Sequence, residues 1–261
     1  MSLFQRLFRR NEERKNTAPP LLEEEESVVE QFQNKFHYSF SDKSLIVTAL
    51  KHRSYLNISN ESRVFSNERL EFLGDAVLDL IVTSFLYKKY PKRTEGQLSK
   101  IKAILVSKPV LAETAKTLGL GEMLLMNHGE EKSGGRKRAS ILADAFEAII
   151  GAIYLEYDLN EADKFVKEHL LSRHKEILKR ELYRNYKSIL LEHAQANGSK
   201  PPEYRVIKES GPDHDKEFEI AVYLNGQKLS EGKGKSKKNA EQEAAKVAIK
   251  KLGLESGFKL E

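Results

Sequence analysis

Apolar residues recur at three- and four-residue spacing through much of the first two thirds of the chain, a pattern typical of helices with one buried face. Ser41 or Asp42 can cap the first helix of this series, and Gly119 and Gly121 mark a loop. Residues 29–171 are therefore expected to form one all-helical domain. The stretches that carry the pattern most clearly are residues 45–50, 70–86, 98–106 and 141–155.

The pattern changes after a charged segment at residues 172–184, which is expected to be a linker. Apolar and polar residues then alternate, as they do in strands, and Asn225-Gly226 favours a tight hairpin between two of them. The predicted elements are a helix at residues 187–196, strands at 204–207, 218–224 and 228–233, and a helix at 237–252. Residues 185–255 are thus expected to form a second domain of order α-β-β-β-α. The predicted fold class is an all-α domain followed by an α+β domain.

The first residues of the chain show neither pattern. Residues 1–28 combine a basic stretch with the acidic run at 23–26 and have too few apolar side chains for a core, which predicts a mobile extension. Phe4, Leu7 and Phe8 could instead form a short amphipathic turn at a membrane surface. Disorder is the favoured alternative because the stretch is short.

Composition narrows the class of protein. A length of 261 residues fits one large and one small domain, and the absence of cysteine excludes disulfides and thiolate zinc sites. No apolar run approaches the roughly 20 residues that span a bilayer, and the start does not resemble a signal peptide. A cytoplasmic protein with no membrane partner is expected. The net charge of +5 permits a polyanionic partner without identifying it.

One predicted helix carries a narrow acidic stripe on an otherwise apolar surface. Glu68, Glu71, Asp75 and Asp79 fall within an arc of about 80° at the helical angle per residue. The stripe could be a solvated edge. Its apolar flanks favour partial burial, where unpaired carboxylates cost several kcal/mol. Either basic side chains or a metal ion must then compensate the charge.

A second apolar helix repeats the arrangement. Asp144 and Glu147 lie three residues apart, so they occupy one face. If the two helices face each other, these acids converge with Glu71 and Asp75. Such a set of oxygen ligands suits Mg²⁺, which shares its coordination with substrate phosphate. The predicted chemistry is hydrolysis of a phosphodiester, with the metal activating water and stabilising the departing 3′ oxygen.

Five segments resemble the motifs of ribonuclease III, in the domain order of that family and over most of the chain from about residue 28. The resemblance implies cleavage of double-stranded RNA to 5′-phosphate and 3′-hydroxyl ends with two-nucleotide 3′ overhangs, in ribosomal RNA precursors and other structured transcripts. It also implies a homodimer with one cutting site per subunit and no small-molecule cofactor besides the metal. The segments are HRS at 52–54, NERLEFLGDAVLD at 67–79, EGQLSKIKAILVS at 95–107, KSGGRKRAS at 132–140 and SILADAFEAIIG at 140–151.

The resemblance also gives roles to single residues. Metal binding falls to four acids, of which two are tied most directly to catalysis; a further acid is ancillary and an aromatic residue inserts into the partner subunit. The four metal-binding acids are Glu71, Asp75, Asp144 and Glu147. Asp75 and Glu147 are the two tied most directly to catalysis, Glu68 is the ancillary acid, and Phe72 is the aromatic residue. Asp79 matches no catalytic position and is interpreted as structural.

The C-terminal domain resembles a double-stranded-RNA-binding domain. Lys235, Lys237 and Lys238 crowd the start of its last helix, where positive charge is unfavourable unless an anion such as phosphate binds. A merely solvated surface is the alternative. The resemblance adds Glu192 of the first helix and His214 of a loop as RNA contacts. Leu191 stands where related domains have glutamine, so weak base preference is expected.

Other assignments stay open at this point. The basic loop at residues 136–138 is either solvated or in contact with the RNA backbone, with the second slightly favoured by its position before Asp144. A protein of the same fold that binds duplex RNA without cutting it is disfavoured, because all four predicted ligand acids are present. A ribosome-associated structural protein would explain the basic charge but not the acids in two apolar helices.

Overall fold

The computed structural model describes residues 21–59, 61–180, 186–212 and 215–254. The chain divides into two compact units, residues 1–179 and residues 180–261. No helix within these described ranges is both long and apolar enough to span a membrane.

The first unit is helical. Single 3-10 turns connect some of its helices, at Arg53–Tyr55, Arg63–Phe65, Gly135–Lys137 and Leu171–Arg173. Its helices are α1 (Glu23–Phe36), α2 (Lys43–Leu50), α3 (Leu56–Ser59), α4 (Glu68–Lys89), α5 (Glu95–Leu105), α6 (Lys108–Thr117), α7 (Leu120–Met123), α8 (His128–Lys132), α9 (Ala139–Glu156), α10 (Leu159–His169) and α11 (His174–Lys179).

Helices α4 and α9 form the centre of this unit. Most of α9 is buried, with Phe146 and Ile149 fully inaccessible to solvent. Two glycines let the helix backbones touch: a Cβ atom on Gly74 would lie 1.7 Å from the carbonyl oxygen of Glu147, and one on Gly151 would lie 2.5 Å from that of Leu70. This close approach fixes which residues of the two helices face each other.

The helices expected from the periodic pattern are present and somewhat longer than predicted. Asp42 caps α2, since its Oδ1 atom accepts a hydrogen bond from the backbone N–H of Ser44 at 3.1 Å. Gly119 lies in a turn with a φ of 67°, a conformation that glycine adopts without a steric penalty. Gly121 does not lie in a loop as predicted but inside the short helix α7.

The predicted mobile extension must be corrected at its end. Helix α1 begins at Glu23, and Glu25 is only 5% exposed because its carboxylate pairs with the buried Lys51 at 2.8 Å. Apolar Val29 and Phe32 are fully buried, so the acidic run starts an amphipathic helix that packs on the unit. Residues 1–20 lie outside the described residues.

The predicted linker at residues 172–184 also needs correction. Residues 174–179 form α11, and its Ile177 and Leu178 are buried despite the many charged neighbours. Two apolar side chains on one face are enough to attach this short helix to the first unit. Residues 181–185 lie outside the described part of the chain.

The second unit is a three-stranded sheet with helices on one face. The strands β1 (Glu203–Ser210), β2 (Glu217–Leu224) and β3 (Gln227–Gly234) are antiparallel in that order, and α12 (Tyr186–Ala196) and α13 (Lys237–Lys251) flank them. Asn225 and Gly226 both have positive φ, 51° and 81°, as the predicted hairpin requires. Leu190, Val222 and Ala244 belong to the core between helices and sheet. The predicted fold class is confirmed.

Candidate active site

Three acids from the central helix pair converge. Glu71 comes from the first turn of α4, and Asp144 and Glu147 come from α9. One carboxylate oxygen from each lies within 4.8 Å of the other two, and all three residues are half-buried. The contact at Gly74 produces this convergence, because it brings the backbone of α4 against Glu147 itself.

Asp75 lies beside this cluster rather than within it. It follows Glu71 by one turn of α4, is exposed to solvent, and is not among the three residues whose oxygens meet. Its negative charge nevertheless acts on Glu147, where it is the largest electrostatic contribution to the raised pKa. The structure therefore brings together three of the four predicted metal-binding acids and places the fourth at their edge.

The cluster has more negative charge than the protein compensates. Burial, and then the charges of Asp75, Glu71 and Asp144, raise the pKa of Glu147 to about 8. Burial and Asp144 also raise the pKa of Glu71. A divalent cation with a preference for oxygen ligands would relieve this repulsion, so the residues present fit such an ion.

Protein cations pair with the other two acids of the stripe. Arg63 donates to Glu68 through Nε at 2.9 Å and Nη2 at 2.8 Å, which lowers the pKa of Glu68. The Nζ atom of Lys102 lies 2.8 Å from Oδ2 of Asp79. The ion pair agrees with the structural role predicted for Asp79.

One cation reaches the cluster itself, and the sequence interpretation missed it. The Nζ atom of Lys108 lies 3.2 Å from Oδ1 of Asp144. Lys108 is the first residue of α6, directly after the N-cap Ser107. A lysine in the first turn of a helix is electrostatically unfavourable, which was the signal available in the sequence.

Comparisons with known proteins decide the family. The family model described as Ribonuclease-III-like matches residues 42–174, and the one described as Double-stranded RNA binding motif matches residues 186–252. Ribonuclease 3 of Streptococcus pneumoniae serotype 19F (strain G54) is 45% identical over 224 residues, which cover 86% of this chain and 96% of that relative. The chain belongs to the ribonuclease III family.

Solved structures agree with this membership. Two structures of the nuclease domain of ribonuclease III from Campylobacter jejuni are 43% identical to this chain and cover 55% of it, with TM-scores of 0.51 and 0.50. The matches cover 96% and 94% of those chains. This ribonuclease III family member is an endoribonuclease for double-stranded RNA, so the predicted enzyme class is confirmed over both rival functions.

The ribonuclease III family member presents an apolar stripe on the solvent side of α4. Phe72 is 82% exposed, and Leu80 and Tyr87 are also exposed on the same helix. Large apolar side chains exposed along one helix face are typical of a surface that another protein covers. Phe72 is thus positioned as a dimer contact would require.

The basic loop before α9 is largely structural. Arg136 donates from Nη1 to the carbonyl oxygens of Gly121 at 3.0 Å and Leu124 at 2.7 Å. Arg138 pairs with Glu130. Arg136 is thus bound to backbone carbonyls, whereas Lys137 and Arg138 are exposed, and for these two residues contact with the RNA backbone stays a prediction.

The predicted RNA-contacting lysines lie on the surface of the second unit. Lys235 pairs with Asp215 at 2.7 Å, and Lys237 lies 3.1 Å from Glu209 and over the ring of Phe218. Both lysines are therefore already paired with a carboxylate, and their contact with RNA stays a prediction.

The remaining predicted RNA contacts of the second unit are Lys238, Glu192 and His214. Lys238 is exposed in the first turn of α13, as the phosphate-binding prediction requires. On α12, Glu192 is exposed and Leu191 is half-buried. His214 lies outside the described residues.

Proposed function

We propose that the chain cleaves double-stranded RNA with Mg²⁺ held by Glu71, Asp144 and Glu147, with Asp75 at the edge of the site. The observation that carries this proposal is the convergence of three half-buried carboxylates within 4.8 Å. Mg²⁺ is the ion of choice because the ligand set is all oxygen and because magnesium shares coordination with phosphate.

The divalent ion, when bound, supplies activation of water and stabilisation of charge on the departing 3′ oxygen. The protein residues hold the ion and position it next to the substrate. Glu71, Asp144 and Glu147 hold the ion in a partly dry setting, and α9 is fixed by its buried side chains. Asp75 and Glu147 are the acids that the family resemblance ties most directly to catalysis, and the exposed Asp75 is accessible to substrate and water.

The proposed active form is a homodimer with one site for each RNA strand. The exposed apolar stripe of Phe72, Leu80 and Tyr87 supports it. One Campylobacter jejuni nuclease-domain structure is described by the flexibility of a region involved in dimer formation, which is consistent with a dimer here.

The second unit is proposed to hold the duplex through Lys235, Lys237 and Lys238, with Glu192 and His214 as further contacts. Domains of this kind read A-form shape and 2′-hydroxyls over about 16 base pairs. Leu191 offers no hydrogen-bonding group, so weak base preference is expected. We further propose ribosomal RNA precursors and other structured transcripts as substrates, in the cytoplasm.

The proposed division of the chain follows the two compact units. The nuclease domain is taken to begin at Glu23 rather than at residue 29, since α1 packs on it. It is taken to extend through α11 rather than to residue 171. The proposed double-stranded-RNA-binding domain spans residues 185–255.

The test is cleavage of a long RNA duplex by purified variants in MgCl₂ and in EDTA. Glu147→Gln removes a ligand charge without adding bulk, so it should keep duplex binding and lose cleavage by at least about a hundredfold. Asp75→Asn should behave likewise. Asp79→Asn is the matched control from the same helix and should cut normally. Near-normal cutting by Glu147→Gln, or full activity in EDTA, would refute the metal site.

A further inference from the structure

Lys108 stands out among the side chains around the acidic cluster because it is the one protein cation in ion-pair contact with it, among the residues that the structure describes. Its ammonium lies 3.2 Å from Asp144, and its negative neighbours include Glu71 and Glu147. One positive charge cannot neutralise three carboxylates. The cluster therefore remains attractive to a stronger cation.

The ion pair between Lys108 and Asp144 can open without disturbing the acid. The Lys108 side chain is 66% exposed, whereas Asp144 is 25% exposed, so the acid is held while the lysine can swing into solvent. Lysine is a strongly hydrated point charge on a flexible four-carbon stem, and leaving an exposed ion pair costs it little. A divalent ion held by Asp144 would repel the ammonium and compete with it for the carboxylate.

We propose that Lys108 is a resident counterion of the metal site, which holds the acidic cluster together before the metal binds and is displaced when it binds. This inference rests on the proposed metal site. Lys108 is a positioning residue in this account, because it acts on the ligand Asp144 and not on the RNA. It would set the metal concentration at which the site fills.

Metal affinity is the first measurement. Mn²⁺ binding to the full chain can be followed by the paramagnetic resonance signal of the free ion. Lys108→Met removes the competing charge and should lower the Kd for Mn²⁺ by about tenfold, a value that allows for the screening of an exposed charge. Lys108→Arg keeps the charge and should remain within about twofold of the native protein.

Thermal unfolding provides the second measurement. Without its counterion the cluster repels itself, so Lys108→Met should unfold at a lower temperature than the native protein in EDTA and at the same temperature in saturating MgCl₂. Lys102→Met is the matched control, because Lys102 pairs with Asp79 at 2.8 Å outside the cluster. Its effect on the unfolding temperature should be equal in EDTA and in MgCl₂.

The results separate this inference from the proposed metal site. If the native protein binds Mn²⁺, Glu147→Gln does not, and Lys108→Met binds with unchanged Kd and unchanged EDTA sensitivity, then the counterion role is overturned while the metal site stands. If the native protein and Glu147→Gln bind Mn²⁺ equally, the metal site itself fails and the counterion role fails with it.

Discussion

At the scale of single residues, the acids of this protein differ in what compensates them. Glu68 and Asp79 pair with Arg63 and Lys102, so their charges are neutralised locally. Glu71 and Glu147 have no ion-pair partner among the residues that the structure describes, and their pKa values are raised. Both uncompensated acids belong to the cluster between the two central helices, whose third member, Asp144, pairs with Lys108.

His174, outside the acidic cluster, is a buried titratable residue of the same unit whose protonation can be tested. His174 is 8% exposed, and its Nδ1 atom donates to the carbonyl oxygen of Leu171 at 2.6 Å. Burial lowers the pKa of His174 below 6.5, with Lys89 and Lys175 acting in the same direction. Because the unfolded chain then binds more protons, the neutral side chain contributes stability above pH 6.5 that is lost as the pH falls below that value.

The prediction compares the free energy of unfolding of the native protein with that of the His174→Gln variant at several pH values. The free energy of unfolding of the native protein minus that of His174→Gln should shrink between about pH 7.5 and about pH 5.5, measured by urea unfolding. Acids that titrate in both proteins cancel in this difference. A difference that stays constant with pH would mean that His174 is not buried in its neutral form.

At the scale of elements, the pairing of α4 with α9 determines the site. The approach is limited by backbone atoms, since the position of a Cβ on Gly74 is already occupied by the carbonyl oxygen of Glu147, 1.7 Å away. Neither helix can shift without moving an acid of the cluster. Packing of the two helices and the geometry of the proposed metal site therefore depend on the same contact.

Gly74→Ala should separate the two helices. Because the obstructing atom belongs to a backbone that cannot turn aside, we expect a loss of about 3 kcal/mol in the free energy of unfolding and a loss of cleavage. Urea unfolding and cleavage of a long RNA duplex measure the two effects. Gly96→Ala is the control, since nothing lies within 4 Å of the added Cβ; it should stabilise by less than about 1 kcal/mol and cut normally. Equal stability of the two variants would contradict the backbone contact.

At the scale of the whole molecule, the acidic cluster and the basic surface lie in different compact units. The first contains the acidic cluster and the second the basic helix end of α13. The first unit has its own buried core, and a matching nuclease domain has been solved alone. The units are thus expected to fold separately.

Ending the chain after Arg180 should leave a nuclease that cuts a long RNA duplex only at low salt. The lost lysines of the second unit contribute phosphate contacts, whose value falls steeply as salt competes for the duplex. Cleavage rates between about 20 mM and about 150 mM NaCl test this. Unchanged activity at the higher salt concentration would assign the second unit to another partner.

Assembly can be tested through the stripe on α4. Phe72→Glu places a charge where an apolar side chain is 82% exposed, so it should convert a dimer into monomers without unfolding the chain. Light scattering coupled to gel filtration measures the mass. Ile207→Glu, at an exposed apolar position of β1, should leave the mass unchanged. A Phe72→Glu protein that keeps the dimeric mass would place the interface elsewhere.

The sequence by itself determined the fold class and the family. Hydrophobic periodicity predicted four helices of the first unit, α2, α4, α5 and α9, and alternation and Asn225-Gly226 predicted the sheet. Two acidic pairs in apolar helices predicted a site for a divalent cation, which stays a proposal. These features are local, because backbone geometry imposes the period and burial of charge has a cost wherever it occurs. The boundaries at residues 28 and 172 were wrong because amphipathic α1 and α11 have few apolar residues and many charged ones.

Only the tertiary structure decided which charges meet. Lys108 reaches Asp144 across 36 positions of sequence, and Lys51 pairs with the buried Glu25. Asp75, which its spacing predicted to join the cluster, lies outside the three acids that meet. Spacing along a helix gives the face on which a side chain lies. Its partner depends on how closely a second helix approaches, and here the missing side chains of Gly74 and Gly151 set that distance.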